Sequence, residues 1–324
     1  LSYWEGGLSL IKYVVKRILF IIPMLIVVMF IINGIMELTP GEPARLILGT
    51  NASQEAVDEL TIELGYDKPF VVRFVKYVIN AFKGDLGTSW QTNRSVFSEV
   101  LARFPTTIKL AVFAMVLAVF IGIPLGVLSA VKQYSIFDAV GTAMAMILAS
   151  VPSFWTALML IILFSLKLNL LPSFGTGSFA HYILPAVAMS LPEIAVLLRY
   201  TRTTMVEAIR QDYIRTARAK GQSERKIVFG DALPNALLPV VTVTGTEFCG
   251  MLGGVVTIET VFSINGIGML IYTSILKKDI PMVTGSAIFL ATAVMLMMLA
   301  VDILYAYIDP RIKARYLKSV KGNS

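Results

Sequence analysis

Six long apolar runs constrain this chain more than any other feature. A helix needs about 20 mainly apolar residues to cross a bilayer. Runs at roughly 13–35, 107–131, 138–166, 181–200, 236–258 and 282–307 meet that length. Hydrophobic residues make up 56% of the 324 residues and charged residues 15%, where a soluble domain carries about 25% charge. The chain therefore reads as an all-α polytopic membrane protein with six transmembrane helices. Pro152 is expected to kink the long third run. The fourth run is short and carries Pro185 and Pro192, so it is expected to be irregular and buried within protein.

The charges that remain give an orientation. Lys12, Lys16 and Arg17 precede the first run, eight Lys/Arg lie between 199 and 226, and five lie between 311 and 321. With six crossings these three places share one side, and excess Lys and Arg marks that side as cytoplasmic. Both termini are then cytoplasmic. The apolar run after Arg17 is too long for the roughly 7–15-residue core of a cleavable signal and reads as a first span, with residues 1–35 as the N-terminal segment. The net charge of +7 is thus a matter of topology, and no nucleic-acid partner is expected. Residues 36–106 hold seven basic and nine acidic residues. They read as a compact, mostly helical cap on the outer face, with helices expected in 53–65, behind a capping serine, and in 68–87. The apolar and aromatic residues of 68–87 are expected to be core. No internal repeat is evident.

Several chemistries are excluded. The single cysteine, Cys249, forms no intramolecular disulfide and reads as a small buried hydrophobe. The single histidine, His181, leaves no histidine-based metal cluster and reads as an interfacial anchor. No metal site and no catalytic residues are assigned, and there is no GxxxxGK[ST] phosphate-binding loop. The methionines fall mostly in the spans, as soft packing residues.

Residues 202–229 differ from everything around them. They are charged, helix-prone and free of proline, with one break at Gly221 followed by Ser223, a good N-cap. Two short helices joined at Gly221 are expected at the membrane surface. Taken alone, such a segment is an amphipathic interface helix.

Its wording carries a resemblance. Permeases of ATP-binding-cassette (ABC) importers carry a cytoplasmic signature, EAA-x3-G-x9-I-x-L-P. Here Gly221 matches its glycine, Ala217 its second alanine, and Leu233-Pro234 its closing pair. Arg215, Thr216 and Asp231 replace its glutamate, first alanine and isoleucine. The stretches TPGEPA (39–44), LGYDKPF (64–70), GDLGTSW (84–90), IETVFSINGIG (258–268) and VDILYAYIDPRIK (301–313) follow in family order. The chain resembles the oligopeptide and dipeptide permease family, of the kind that forms the first of its two permease subunits.

The resemblance implies a type I ABC importer permease fold, in a prokaryotic cytoplasmic membrane. It implies a permease core over 107–310, a coupling segment over 202–234 and a basic tail over 311–324. Asp212, Tyr213, Arg215, Thr216, Ala217, Arg218, Ala219, Lys220, Gly221, Leu233 and Pro234 would then engage an ATPase. The implied partners are a second, related permease, two ABC ATPase subunits that bind ATP and magnesium, and an extracytoplasmic substrate-binding protein that supplies peptide. No cofactor is expected in this chain.

Ionisable residues inside spans are functional candidates by default. Glu193 and Glu247 are candidates for the translocation path, where one or both would attract a cationic group such as a peptide amino terminus; the alternative is a hydrogen bond to a neighbouring helix or a place on a wet cavity wall. Gly250, Gly253 and Gly254 let helices approach closely and offer a smooth wall to the same path. Asp302 reads as structural, and Asp309, Pro310 and Arg311 as a helix exit. The same architecture also serves importers of nickel chelates, glutathione and oligosaccharides. A self-sufficient secondary transporter would need coupling-ion sites and usually repeats. An intramembrane protease would need a Ser–His or Asp–Asp pair at membrane depth.

Overall fold

The computed structural model describes residues 2–38, 41–49 and 51–308, with side chains for 14, 15 and 17–305 of these. Its helices, in chain order, are α1 (Ser2–Glu37), α2 (Pro43–Leu48), α3 (Gln54–Glu63), α4 (Phe70–Phe82), α5 (Val96–Val131), α6 (Ile136–Ser150), α7 (Ser153–Leu160), α8 (Ala180–Ile209), α9 (Asp212–Ala219), α10 (Glu224–Lys226), α11 (Leu233–Val261), α12 (Ile267–Leu276) and α13 (Ile280–Ile308). Two π-helical stretches, Ile161–Lys167 and Ile227–Ala232, continue α7 and α10. Among the described residues the only β pairing is one bridge, Thr88 to Ser95.

The centre of the bundle is the pairing of α5 with α8. Gly122 and Gly126 on α5 allow it. A Cβ at Gly122 would lie 3.0 Å from the Ile194 carbonyl oxygen, and one at Gly126 only 2.6 Å from that of Leu198. The contact advances four residues on each helix, so the two run parallel. Arg210 bonds Gln133 at their C-terminal ends, and the Phe113 and Phe179 rings meet nearer the opposite ends.

Parallel neighbours require a crossing between them, and α6 with α7 must supply it. The sequence predicts a kinked span over 138–166. The structure instead breaks by 99° at Val151-Pro152. Pro152 has no N–H to donate and disfavours helical geometry at Val151, whose ψ is 125°. The pair is one broken span, and the count of crossings is six.

The outer helices follow the same polarity. Arg17 pairs with Asp302 at 2.8 Å, near the start of the apolar part of α1 and the end of α13. Leu25 and Met29 of α1 pack on Ile288 of α13. α11 runs back against α13, where Gly245 leaves room for Val301, 2.4 Å from a Cβ built there.

Other expectations need correction. α8 is one continuous 30-residue helix through Pro185 and Pro192, not an irregular span, because packing against α5, α6, α7 and α11 holds it. α5 starts at Val96, so residues 96–106, counted with the cap, are the first turns of that helix. In the cap, Ser53 caps α3 by accepting from Ala56 N. α4 has no fully buried residue, so its apolar residues are not all core. The loop between α4 and α5 is pinned by Asp279, which accepts from Ser89 Oγ at 2.5 Å and Trp90 N at 3.2 Å while capping the Met282 N–H of α13.

Candidate functional site: the α9 element and the α8–α11 face

α9 is held by one fully buried side chain, Ile214. It enters a cluster formed by Val127 and Ala130 of α5, Met205 and Ala208 of α8, and Ile227, Val228, Ala232 and Ala236 of the α10–α11 segment. Three long helices thus meet on one short one. Ala217 and Leu233 pack partly buried against the same cluster. Asp212, Tyr213, Arg215, Thr216, Arg218, Ala219 and Lys220 remain exposed.

Gly221 ends α9 in a Schellman closure. Its N–H donates to the Arg218 carbonyl at 2.9 Å, and the Gln222 N–H reaches back to that of Ala217 at 3.2 Å. This needs φ of +78°, and a Cβ at Gly221 would meet nothing within 4 Å. The glycine is therefore required by backbone conformation and not by space. Arg218 then grips Glu224 with two bonds of 2.7 and 3.1 Å, and that carboxylate pushes the Arg218 pKa further up. Gln222 Nε2 donates to Asp231, the residue that replaces the signature's isoleucine, at 2.7 Å. Asn235 Nδ2 donates to Tyr213 Oη at 3.3 Å.

The second short helix expected after Gly221 is instead the first turn of an unbroken helical run, Glu224–Val261. Ser223 occupies the N-cap position with no side-chain bond, its backbone carbonyl accepting from Lys226 N. Pro234 has no N–H to give the carbonyl four residues earlier, and the widened π turn over Ile227–Ala232 precedes it.

One ionic lock beside α9 was not singled out from sequence. Asp138, 4% exposed, accepts a fork from Arg202 at 2.5 and 2.7 Å, a bond from Ser129 Oγ at 2.5 Å and one from Tyr134 N at 3.0 Å. It ties the α5–α6 turn to α8. The available signal was an acidic residue in the first turn after a serine, opening an otherwise apolar helix.

At mid-bundle, α8 and α11 bring Glu193 and Glu247 into contact. One Glu193 oxygen, Oε2, is buried with no hydrogen-bond partner. One turn along α11, Gly250, Gly253 and Gly254 are exposed, and an added Cβ at any of them would meet nothing. They do not serve close packing within this chain, which falls to Gly122, Gly126, Gly245 and Gly285 instead. Asp302 stands apart with Arg17. Asp309, Pro310 and Arg311 lie outside the described residues. His181 opens α8, its Nδ1 3.1 Å from Ser178 N.

A second buried carboxylate also escaped the sequence reading. Glu259, fully buried at the cap end of α11, accepts from Thr107 Oγ1 at 2.6 Å, Gly268 N at 2.7 Å and Met269 N at 3.2 Å. Thr107 Oγ1 in turn accepts from Ile267 N at 2.9 Å. The first turn of α12 is thereby capped by a side chain of α11 and one of α5. Gly266 and Gly268 are the space left for that carboxylate.

Comparison with known proteins places this architecture. Residues 122–314 match the family described as binding-protein-dependent transport system inner membrane component, and residues 10–111 match its N-terminal counterpart. The dipeptide transport system permease protein DppB of Alkalihalophilus pseudofirmus is 38% identical over 332 residues, covering 94% of this chain and all of that protein. The glutathione transport system permease protein GsiC of Salmonella choleraesuis is 37% identical over 304 residues, covering 94% and 99%. Among solved structures, the inward-facing MetNI methionine ABC transporter superposes with a TM-score of 0.56 at 19% identity, over 65% of this chain and 96% of that one. An amino acid ABC transporter gives 0.52 at 16% identity, over 66% and 94%. These two share the fold. The chain belongs to the binding-protein-dependent transport system inner membrane components, as an ABC importer permease of the oligopeptide and dipeptide family.

Proposed function

We propose that this chain is one of two permease subunits of a prokaryotic plasma-membrane importer for short peptides. ATP and magnesium are bound by two separate ATPase subunits that dock on α9 from the cytoplasm. An extracytoplasmic substrate-binding protein delivers cargo to the cap side. Both chain termini lie on the α9 side. No chemistry occurs in this chain.

The observation that carries the reading is the burial of Ile214 among α5, α8 and α11. A push on the exposed face of α9 reaches three spans at once, as a switch between outward-open and inward-open states requires. The Glu193–Glu247 pair lies between two of those spans. It attracts the cationic amino terminus of the cargo, and the open face at Gly250, Gly253 and Gly254 gives a bulky chain room to pass. Peptide cargo is favoured by the full-length likeness to a dipeptide permease.

The test is uptake into proteoliposomes holding this chain with its companion permease, ATPases and binding protein. A mixed pool of peptides, glutathione and nickel chelates is supplied, and accumulated species are identified by mass. Peptides accumulating only with ATP support the reading. Accumulation of glutathione or a chelate alone overturns the cargo, and uptake without ATPases overturns the coupling role of α9.

A further inference from the structure

The cap helix α4 has two apolar faces, and among the described residues only one packs on protein. Phe74, Tyr77, Val78 and Ala81 pack on the cluster of Leu25, Met29 and Ile288. Phe70 and Phe74 stand 5.7 and 5.4 Å from the Phe30 ring of α1. The other face presents Val71, Val72, Val75, Ile79 and Phe82, each 49–64% exposed. Their three-to-four spacing makes one continuous stripe.

The depth of α4 decides what covers that stripe. The apolar stretch of α1 runs over Arg17–Glu37, about 30 Å of helix, which matches the hydrocarbon thickness. Phe30 lies two turns inside its Glu37 end, about 10 Å below it. Ile288 lies a similar distance, about 12 Å, inside the start of α13. The rings of Phe70 and Phe74 meet α1 at the first level, and Phe74, Tyr77, Val78 and Ala81 join the cluster that holds Ile288 at the second, which sets α4 roughly in the membrane plane and below the surface. Arg73 anchors its first turns to Glu37. Phe30 and Ile31 of α1 are likewise exposed. Lys76 and Lys83 are exposed beside the stripe, with stems long enough to lift their ammonium groups toward the headgroups.

We propose that α4 is an in-plane helix embedded in the lipid leaflet on the cap side, its Val71–Phe82 stripe covered by acyl chains. This part of the cap is then a membrane anchor and not part of a water-exposed dome. The inference rests on the membrane-spanning reading of α1 and is independent of the cargo.

Site-directed bimane fluorescence tests it in the assembled transporter in nanodiscs. Labels are placed singly at Val75→Cys and Ile79→Cys in a Cys249→Ala background, with Asp58→Cys on α3 as a water-facing reference. Lipids carrying nitroxide on the acyl chain are expected to dim the α4 labels about twofold, while aqueous iodide acts only on the reference. Quenching of the α4 labels by iodide overturns the proposal, because the stripe is then in water. Insensitivity of both labels to both quenchers overturns it too, because a protein partner then covers the stripe.

Discussion

A side chain at Gly266 and the carboxylate of Glu259 claim the same space: a Cβ built on Gly266 would lie 2.0 Å from Glu259 Oε1. Gly266→Ala must therefore displace the cap of α12 and strand buried N–H groups, at about 1–3 kcal/mol each. Glu259→Gln can keep one acceptor for the Gly268 and Met269 N–H groups but turns its amide donor toward the Thr107 hydroxyl, and is expected to cost about 1 kcal/mol. Thermal unfolding in nanodiscs checks both. A midpoint unchanged from wild type in either variant would show that the carboxylate does not hold α12.

Gly221→Val forces a β-branched residue to φ of +78°, at about 1–3 kcal/mol. Gly221→Asn, which tolerates that region better, is expected to lose less. If α9 couples to an ATPase, the valine variant keeps its membrane level while ATP-driven uptake falls further than ATP hydrolysis. Equal and normal uptake in both variants would count against the docking role.

The two classes of glycine are expected to separate in stability. Gly126→Ala meets backbone 2.6 Å away on α8 and should destabilise by about 1–3 kcal/mol through overpacking. Gly253→Ala enters open space and should leave the unfolding midpoint of the isolated chain unchanged. Gly253→Leu is expected to leave folding intact and slow uptake of longer peptides more than of dipeptides. Matching midpoint losses for Gly126→Ala and Gly253→Ala would refute the distinction.

Arg202→Ala leaves Asp138 buried without its fork. The expected cost is about 3 kcal/mol, near the lower end for a broken buried pair because Arg202 is partly exposed. Protease sensitivity of the α5–α6 turn should rise with it. Resistance equal to wild type would mean that Ser129 and Tyr134 hold the turn alone.

The Glu193→Gln, Glu247→Gln double variant removes both candidate path charges. Uptake of peptides with a free amino terminus is expected to fall several-fold relative to N-acetylated ones. An identical change for both cargo types would overturn the role given to the pair.

The sequence made the crossings legible because each needs only length and apolarity, and the α9 element because charge between two apolar runs has few explanations. Gly221 was readable since a helix-ending glycine reports a backbone angle local to itself. Glu193 and Glu247 were readable one at a time, as charges in greasy surroundings. Their contact was not, because it depends on how α8 and α11 are rotated. Glu259, Asp138 and Asp279 were passed over for the same reason. Each is satisfied by donors supplied partly from distant segments, and the linear order of residues does not show that company. The break at Pro152 was visible as a proline, but its angle depends on what packs to either side.

That break has a consequence for the bilayer. At Val151-Pro152 the last carbonyls of α6 and the first N–H groups of α7 face no helical partner, and most of the side chains around them are exposed. Hydrocarbon does not tolerate such groups, which survive within a membrane only against protein or water. The flank of the bundle carrying this corner is therefore not a lipid-facing wall. The corner thus restricts which side of the molecule can turn outward to the membrane.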